Sequence, residues 1–159
     1  MKSIVTPKLP LTDNERRILR KMKIRLNQIH TFEPDDLKKL LEISPDHAQY
    51  LVALASFQQI PSIGAKLATD IIENLGIYTL EELKKYDGSQ LLDEFEKNLN
   101  YWTDPCVEDH FRCLIYHAKY PGSDRKWFDF TEERKKFRMK HGYPETRPKV
   151  GWQEMKKDH

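Results

Sequence analysis

Ile60-Pro61-Ser62-Ile63-Gly64-Ala65-Lys66-Leu67-Ala68 lies between two segments whose apolar residues recur at helical intervals. Ahead of it stand Ala48, Leu51, Val52, Leu54 and Ala55; after it come Leu67, Ala68, Ile71, Ile72 and Leu75, with Gly76 as a stop. Pro61 cannot comfortably extend the first helix, and Gly64 can adopt a positive φ without Cβ strain. Ile63 is placed to tuck between the helices, and the small Ala68 lets them approach closely. The second helix begins at Gly64–Ala65 with no Ser, Thr, Asp or Asn cap. Its first turn carries Lys66, a cation at the positive end of the helix dipole. Two readings stay open: water satisfies these amides, or an anion occupies them, a phosphate above all.

Outward from this turn the signals are helical throughout. Thr12-Asp13-Asn14-Glu15 has capping-box spacing and predicts a helix over about 13–23, with Ile18, Leu19, Met22 and Leu26 on one face. Pro34 opens a short helix with Asp35 and Asp36 in its first turn, and Ser44-Pro45 caps the next. Thr79-Leu80-Glu81-Glu82 repeats the box spacing, Asp87-Gly88 marks a turn, and Leu91, Leu92, Phe95 and Leu99 continue on another helix. Asp104-Pro105 starts a helix through about Ala118. No run of alternating β-branched residues occurs, so the fold expected is all-α, a small helical domain of short helices. The expected organisation is a flexible arm (1–11), an N-terminal helical unit (12–58), a unit with the turn packed on it (59–120), and a C-terminal part (121–159). That last part holds an aromatic anchor, a basic helix and a flexible tail. A faint internal echo relates Ile43 and Ala48 near Ser44-Pro45 to Ile63 and Ala68, but Asp46 at that helix start would repel phosphate.

With 159 residues, 38% hydrophobic and 33% charged, the chain suits one compact domain or two small ones. No stretch approaches the roughly 20 apolar residues of a membrane span. Two cysteines are too few for a disulfide framework, so a cytoplasmic, reduced protein is expected. The net charge of +2 is uneven: residues 1–30 sum to +6, 31–118 to −9 and 119–159 to +5. A polyanion would meet the ends, or one narrow feature of the acidic middle.

The segment 60–68, followed by Leu75-Gly76-Ile77-Tyr78-Thr79-Leu80-Glu81-Glu82-Leu83, resembles a helix-hairpin-helix motif, in which backbone amides hold a nucleic-acid phosphate without reading sequence. Thr103-Asp104-Pro105-Cys106-Val107-Glu108-Asp109 and Lys126-Trp127-Phe128-Asp129-Phe130-Thr131-Glu132-Glu133-Arg134-Lys135 resemble, more narrowly, the small bacterial pathogenicity-locus helix-hairpin-helix family. The narrower resemblance covers about residues 57–136 and implies a fold more firmly than a function. DNA-binding hairpins usually carry glycine where Ser62 stands. Its hydroxymethyl could crowd the backbone away from a phosphate or donate a bond of its own.

Other constellations favour plainer roles. Cys106, His110, Cys113 and His117 form one stripe on one helix. At 1.5 Å per residue the four span about 16 Å and cannot surround a single metal. Asp104, Glu108 and Asp109 suit the start of a helix better than a magnesium site. Trp127, Phe128 and Phe130 could stack on bases, but read better as an anchor for the basic helix. No catalytic residue, metal or cofactor is expected. The function expected is non-catalytic, sequence-independent DNA binding, as an accessory to repair or processing. Ser62, Gly64, Ala65, Lys66 and Leu67 would hold phosphate. Support would come from Arg16, Arg17, Arg20, Lys21, Lys23 and Arg25, and from Arg134, Lys135, Lys136, Arg138 and Lys140, because one grip neutralises only one or two phosphates. The alternative is a protein-interaction module with a structural hairpin and an acidic middle surface.

Overall fold

The structure is a computed structural model that describes residues 4–157. It is all-α: among the described residues there is no strand, only an isolated bridge between Trp102 and Gly151. The chain divides into two compact units, Met1–Leu80 and Glu81–His159.

In the first unit, α1 (Asp13–Lys21) begins with the anticipated box: Glu15 N–H donates to Thr12 Oγ1 at 3.1 Å, and Thr12 N–H donates to Glu15 Oε1 at 2.8 Å. It stops before residue 23 because Lys23 takes a left-handed φ of 59°, which a helix cannot continue. A 3-10 turn follows (Leu26–Thr31), then α2 (Pro34–Leu41), with proline in its first turn. The helix α3 (Pro45–Phe57) is capped by Ser44, whose Oγ accepts from His47 N–H at 3.1 Å. It packs against the 3-10 turn, α2 and α4 (Ala65–Leu75). Leu37, Leu51, Ala55, Phe57, Ala68 and Ile71, each fully buried, form the heart of this core. Because α3 and α4 share that core, the turn between them lies inside one unit, and the expected boundary at 58/59 does not divide the chain.

Of the arm expected to be flexible, residues 1–3 lie outside the described residues and the stretch from Val5 to Leu9 is tied down. Pro7 and Leu9 are buried, and the backbone of Val5 and Lys8 is hydrogen-bonded to the side chains of Gln59 and Gln58.

A short helix α5 (Leu80–Leu83) leads into the second unit, where α6 (Gly88–Leu99) is boxed by Asp87 and Gln90. It packs on α7 (Cys106–Lys119), with Phe95 and Phe111 edge to face at 5.2 Å. Gly88 is required at this crossing, since a Cβ there would sit 2.3 Å from the Arg112 side chain and 3.1 Å from its Cα. A second 3-10 turn (Trp127–Phe130) lies on α7 and runs into α8 (Thr131–His141). Thr131 opens α8 but does not cap it; its hydroxyl donates to Asp109 at 2.9 Å. Of the tail expected to be flexible, residues 158 and 159 lie outside the described residues, and the stretch before them folds back within its own unit. Trp102 N–H donates to Val150 C=O at 2.9 Å, Trp152 N–H donates to Trp102 C=O at 2.7 Å, and α9 (Trp152–Lys157) follows.

Candidate nucleic-acid interface

The turn between α3 and α4 is built by local bonds. Ile63 N–H donates to Ile60 C=O at 3.1 Å, closing a turn with Pro61 second and Ser62 third. Ser62 has φ 72°, the left-handed value that a proline-led turn of the second type demands of its third residue. Gly64 was the residue expected to take positive φ, yet it is extended at −91°. The strained position is Ser62, where DNA-binding hairpins were expected to carry glycine. Ile60 and Ile63 turn inward and are buried, while Ser62 and Gly64 face solvent. A Cβ built on Gly64 meets nothing within 4 Å, so nothing in the chain requires glycine there. Its bareness leaves the backbone open from outside.

Among the described α-helices, α4 alone starts with neither a capping side chain nor an acidic residue in its first turn. Its first amides, on Ala65, Lys66 and Leu67, carry the positive end of an eleven-residue helix. The side chain of Lys66 is 92% exposed and reaches the half-buried Asp70 at 3.6 Å, a pair of little energetic weight because its lysine is solvated. Burial pushes the Asp70 carboxyl above its usual range, and Lys66 partly offsets that. The echo at Ser44 differs in kind, since its serine caps the helix and Asp46 sits in the first turn.

The supporting cations divide sharply. Arg17, Arg20, Lys21, Lys23 and Arg25 are exposed and Arg16 half-buried, and among the described residues none of them joins an ion pair. Arg16 donates to Leu9 C=O at 3.3 Å, and Arg17 donates to Asn14 Oδ1. In the second unit, by contrast, Arg134 and Arg138 are not available to a phosphate. Arg134 grips the fully buried Asp109 through two nitrogens at 2.9 and 3.2 Å. Arg138, 7% exposed, donates to the fully buried Glu108 at 2.8 Å and to Asp93 at 3.0 Å. Both guanidinium groups are held protonated beyond their usual range: for Arg134 the Asp109 hydrogen bond leads, and for Arg138 the Glu108 and Asp93 carboxylates outweigh burial. A third buried carboxylate, Glu96, accepts from Arg147 at 2.7 and 3.1 Å and from Thr103 N–H at 2.7 Å. On α8, Lys135, Lys136 and Lys140 remain exposed. The same ladder takes three carboxylates out of the acidic middle, weakening the surface on which a protein-interaction reading depends.

The Cys/His stripe is structural. His110 Nδ1 lies 2.7 Å from Cys106 C=O with its ring stacked on Trp127 at 4.9 Å, and His117 Nε2 lies 2.7 Å from Arg125 C=O. Cys113 is buried, and burial with the nearby Asp104 carboxylate pushes the Cys106 thiol up to about 11. Among the described residues no group of three or more His, Cys, Asp or Glu side chains could hold a metal ion, and no helix is long and apolar enough to cross a membrane. Asp104 instead accepts from Cys106 N–H at 2.9 Å, which lowers its carboxyl below the usual range. Phe130 is buried, Trp127 half-buried and only Phe128 is open at 55%, as suits an anchor more than a stacking platform.

Sequence reasoning missed Gln58 and Gln59, which bind the arm. Their adjacency at the end of an apolar helix was the available signal, but their partners lie 50 and 54 residues away.

A family model described as Pathogenicity locus (Cdd1) matches residues 51–136, from within α3 into α8 and over half of the chain. No curated protein and no solved structure matches.

Proposed function

Given that the chain belongs to the pathogenicity-locus family, whose description names no activity, we propose that it binds DNA non-catalytically through the α3–α4 turn, used as a helix-hairpin-helix phosphate grip. The observation that carries this reading is the start of α4. Its amides have no capping side chain and no acidic neighbour in the first turn, a bare glycine precedes them, and an exposed lysine stands beside them. A phosphodiester oxygen is the complement: it accepts from the Ala65, Lys66 and Leu67 amides, and its charge meets the helix dipole and the Lys66 ammonium. No base edge is read by such a grip, so binding is independent of sequence. An accessory role in DNA repair or processing fits a binder of this kind.

Fluorescence titration with short duplex and single-stranded DNA at low and moderate salt tests the reading. Salt-sensitive binding that Lys66→Glu weakens supports it. Absence of salt-sensitive binding, or full affinity in Lys66→Glu, contradicts it. A stoichiometric protein partner co-purifying with no DNA retention favours the protein-interaction module instead.

A further inference from the structure

The N-terminal cations are linked to the α3–α4 turn by the arm, through bonds that no local rule predicts. Val5 N–H donates to Gln59 Oε1 at 3.0 Å, and Gln59 Nε2 donates back to Val5 C=O at 2.6 Å. Lys8 N–H donates to Gln58 Oε1 at 2.9 Å, and Gln58 Nε2 returns a bond to Lys8 C=O at 2.9 Å. Two adjacent amide side chains thus hold the arm as a neighbouring strand would. One residue on, Leu9 C=O accepts from Arg16. Arg16 and Arg20 stand four apart on α1, hence on one row of the helix, and Arg16 touches the arm at Leu9. Gln58 and Gln59 immediately precede the turn 60–64. With consecutive Cα atoms 3.8 Å apart, Gly64 lies within about 23 Å of Gln58, a reach of roughly seven base pairs of duplex.

We propose that Lys8, Arg16 and Arg20 form, together with Lys66, one cationic face that follows the phosphodiester backbone of DNA, with residues 5–9 as the arm that fixes their register. The proposal rests on the phosphate grip at α4 and extends it with residues outside the matched region 51–136. Residues 4–25 hold seven Lys/Arg against Asp13 and Glu15, and Glu15 is buried against His47 at 3.2 Å. Asp13 on α1, Asp70 beside Lys66 and the exposed Glu73 near Asp70 oppose a polyanion along this path. A membrane surface fits less well. The exposed apolar side chains here are Ile4, Val5 and Met22, without Trp or Phe, and the nine-residue α1 buries Leu19 in its own unit.

The test is anisotropy of a short labelled duplex over about 50–200 mM salt, with the full chain as wild type, Lys8→Glu, Gln58→Ala/Gln59→Ala and the control Lys97→Glu/Lys119→Glu. Thermal unfolding of each variant accompanies it. Phosphatidylserine vesicles form a separate arm. The proposal expects Lys8→Glu to lose roughly five- to tenfold in affinity near 0.1 M salt and to flatten the logarithmic salt slope by about 1. It expects Gln58→Ala/Gln59→Ala to lose affinity with all cations intact, and the control to match wild type. Lys8→Glu is a surface change and reports even if the glutamine variant unfolds. Salt-sensitive binding by wild type that Lys66→Glu weakens but Lys8→Glu leaves unchanged overturns this proposal alone. No DNA binding by wild type removes the grip itself, and binding to vesicles in place of DNA overturns the cationic face as a DNA surface.

Discussion

Residues 1–30 carry +6 and residues 119–159 carry +5, yet the two ends put that charge to opposite uses. Along α1 Arg17, Arg20 and Lys21 are exposed and Arg16 is half-buried, and among the described residues none of them pairs with a carboxylate. On and beyond α8, Arg134, Arg138 and Arg147 turn inward to Asp109, Glu108 and Glu96, each carboxylate fully buried. Burying such charges is tolerable only with paired geometry and further hydrogen bonds, and each of the three has both. Formal charge therefore measures a capacity for polyanion binding only after internal pairs are subtracted. The N-terminal end keeps its capacity, and the C-terminal end converts much of its own into cohesion.

The strongest way to break this contrast is to delete one arginine from each end. Arg138→Ala leaves Glu108 and Asp93 facing a gap in a buried network, and a loss of about 3–5 kcal/mol is expected in urea or thermal unfolding. Arg20→Ala, at an exposed side chain with no ion pair among the described residues, should stay within about 0.5 kcal/mol of wild type. Equal losses at both sites would erase the distinction.

A smaller effect sharpens the description of the α3–α4 turn. Ser62 holds a left-handed φ that disfavours a side chain, so Ser62→Gly should stabilise the chain by up to about 1 kcal/mol, read as a rise in the unfolding midpoint. It should also tighten DNA binding by removing the hydroxymethyl group from the approach. A destabilised glycine variant would mean that the serine side chain is needed where it is.

The smallest effects are pH-dependent and belong to the second unit. The Asp104 carboxyl is lowered chiefly by the Cys106 N–H bond, so its contribution is complete above its ordinary value of 3.8 and is lost as pH falls through the folded value. The stability difference between wild type and Asp104→Asn should therefore shrink as pH is lowered from about 5 to 2. Cys106, held up to about 11, should react slowly with iodoacetamide near neutral pH and faster as that value is approached. Rapid alkylation at neutral pH would show a more open α7 start.

What could be read from sequence follows from separation along the chain. Thr12 with Glu15 and Ser44 with His47 are three residues apart, and local chemistry alone dictates their caps; Asp87, expected only as a turn residue, caps at the same spacing to Gln90. The all-α class came from periodicity of the same range. The ladder could not be read this way: Arg138 meets Glu108 across 30 residues and Arg147 meets Glu96 across 51, both from beyond the matched region ending at 136. Polar, proline-containing residues 142–151 carry no apolar pattern, so their order rests on charge pairs and the Trp102 contacts. At the turn, Pro61, Ile63 and Gly64 mark the bend, but the positive φ expected of Gly64 belongs to Ser62. Both residues flank the same bend, and spacing alone does not say which of them takes the strain.

The most direct test of the central claim is a titration of the isotope-labelled chain with a short DNA duplex, followed by amide nitrogen–proton correlation spectra at low salt. The account predicts the largest shifts at Gly64, Ala65, Lys66 and Leu67, smaller ones at Lys8 and Arg16, and none at the side-chain Nε–H signals of Arg134, Arg138 and Arg147. Shifts confined to α8, or movement of the buried arginine signals with those four amides unmoved, would contradict it.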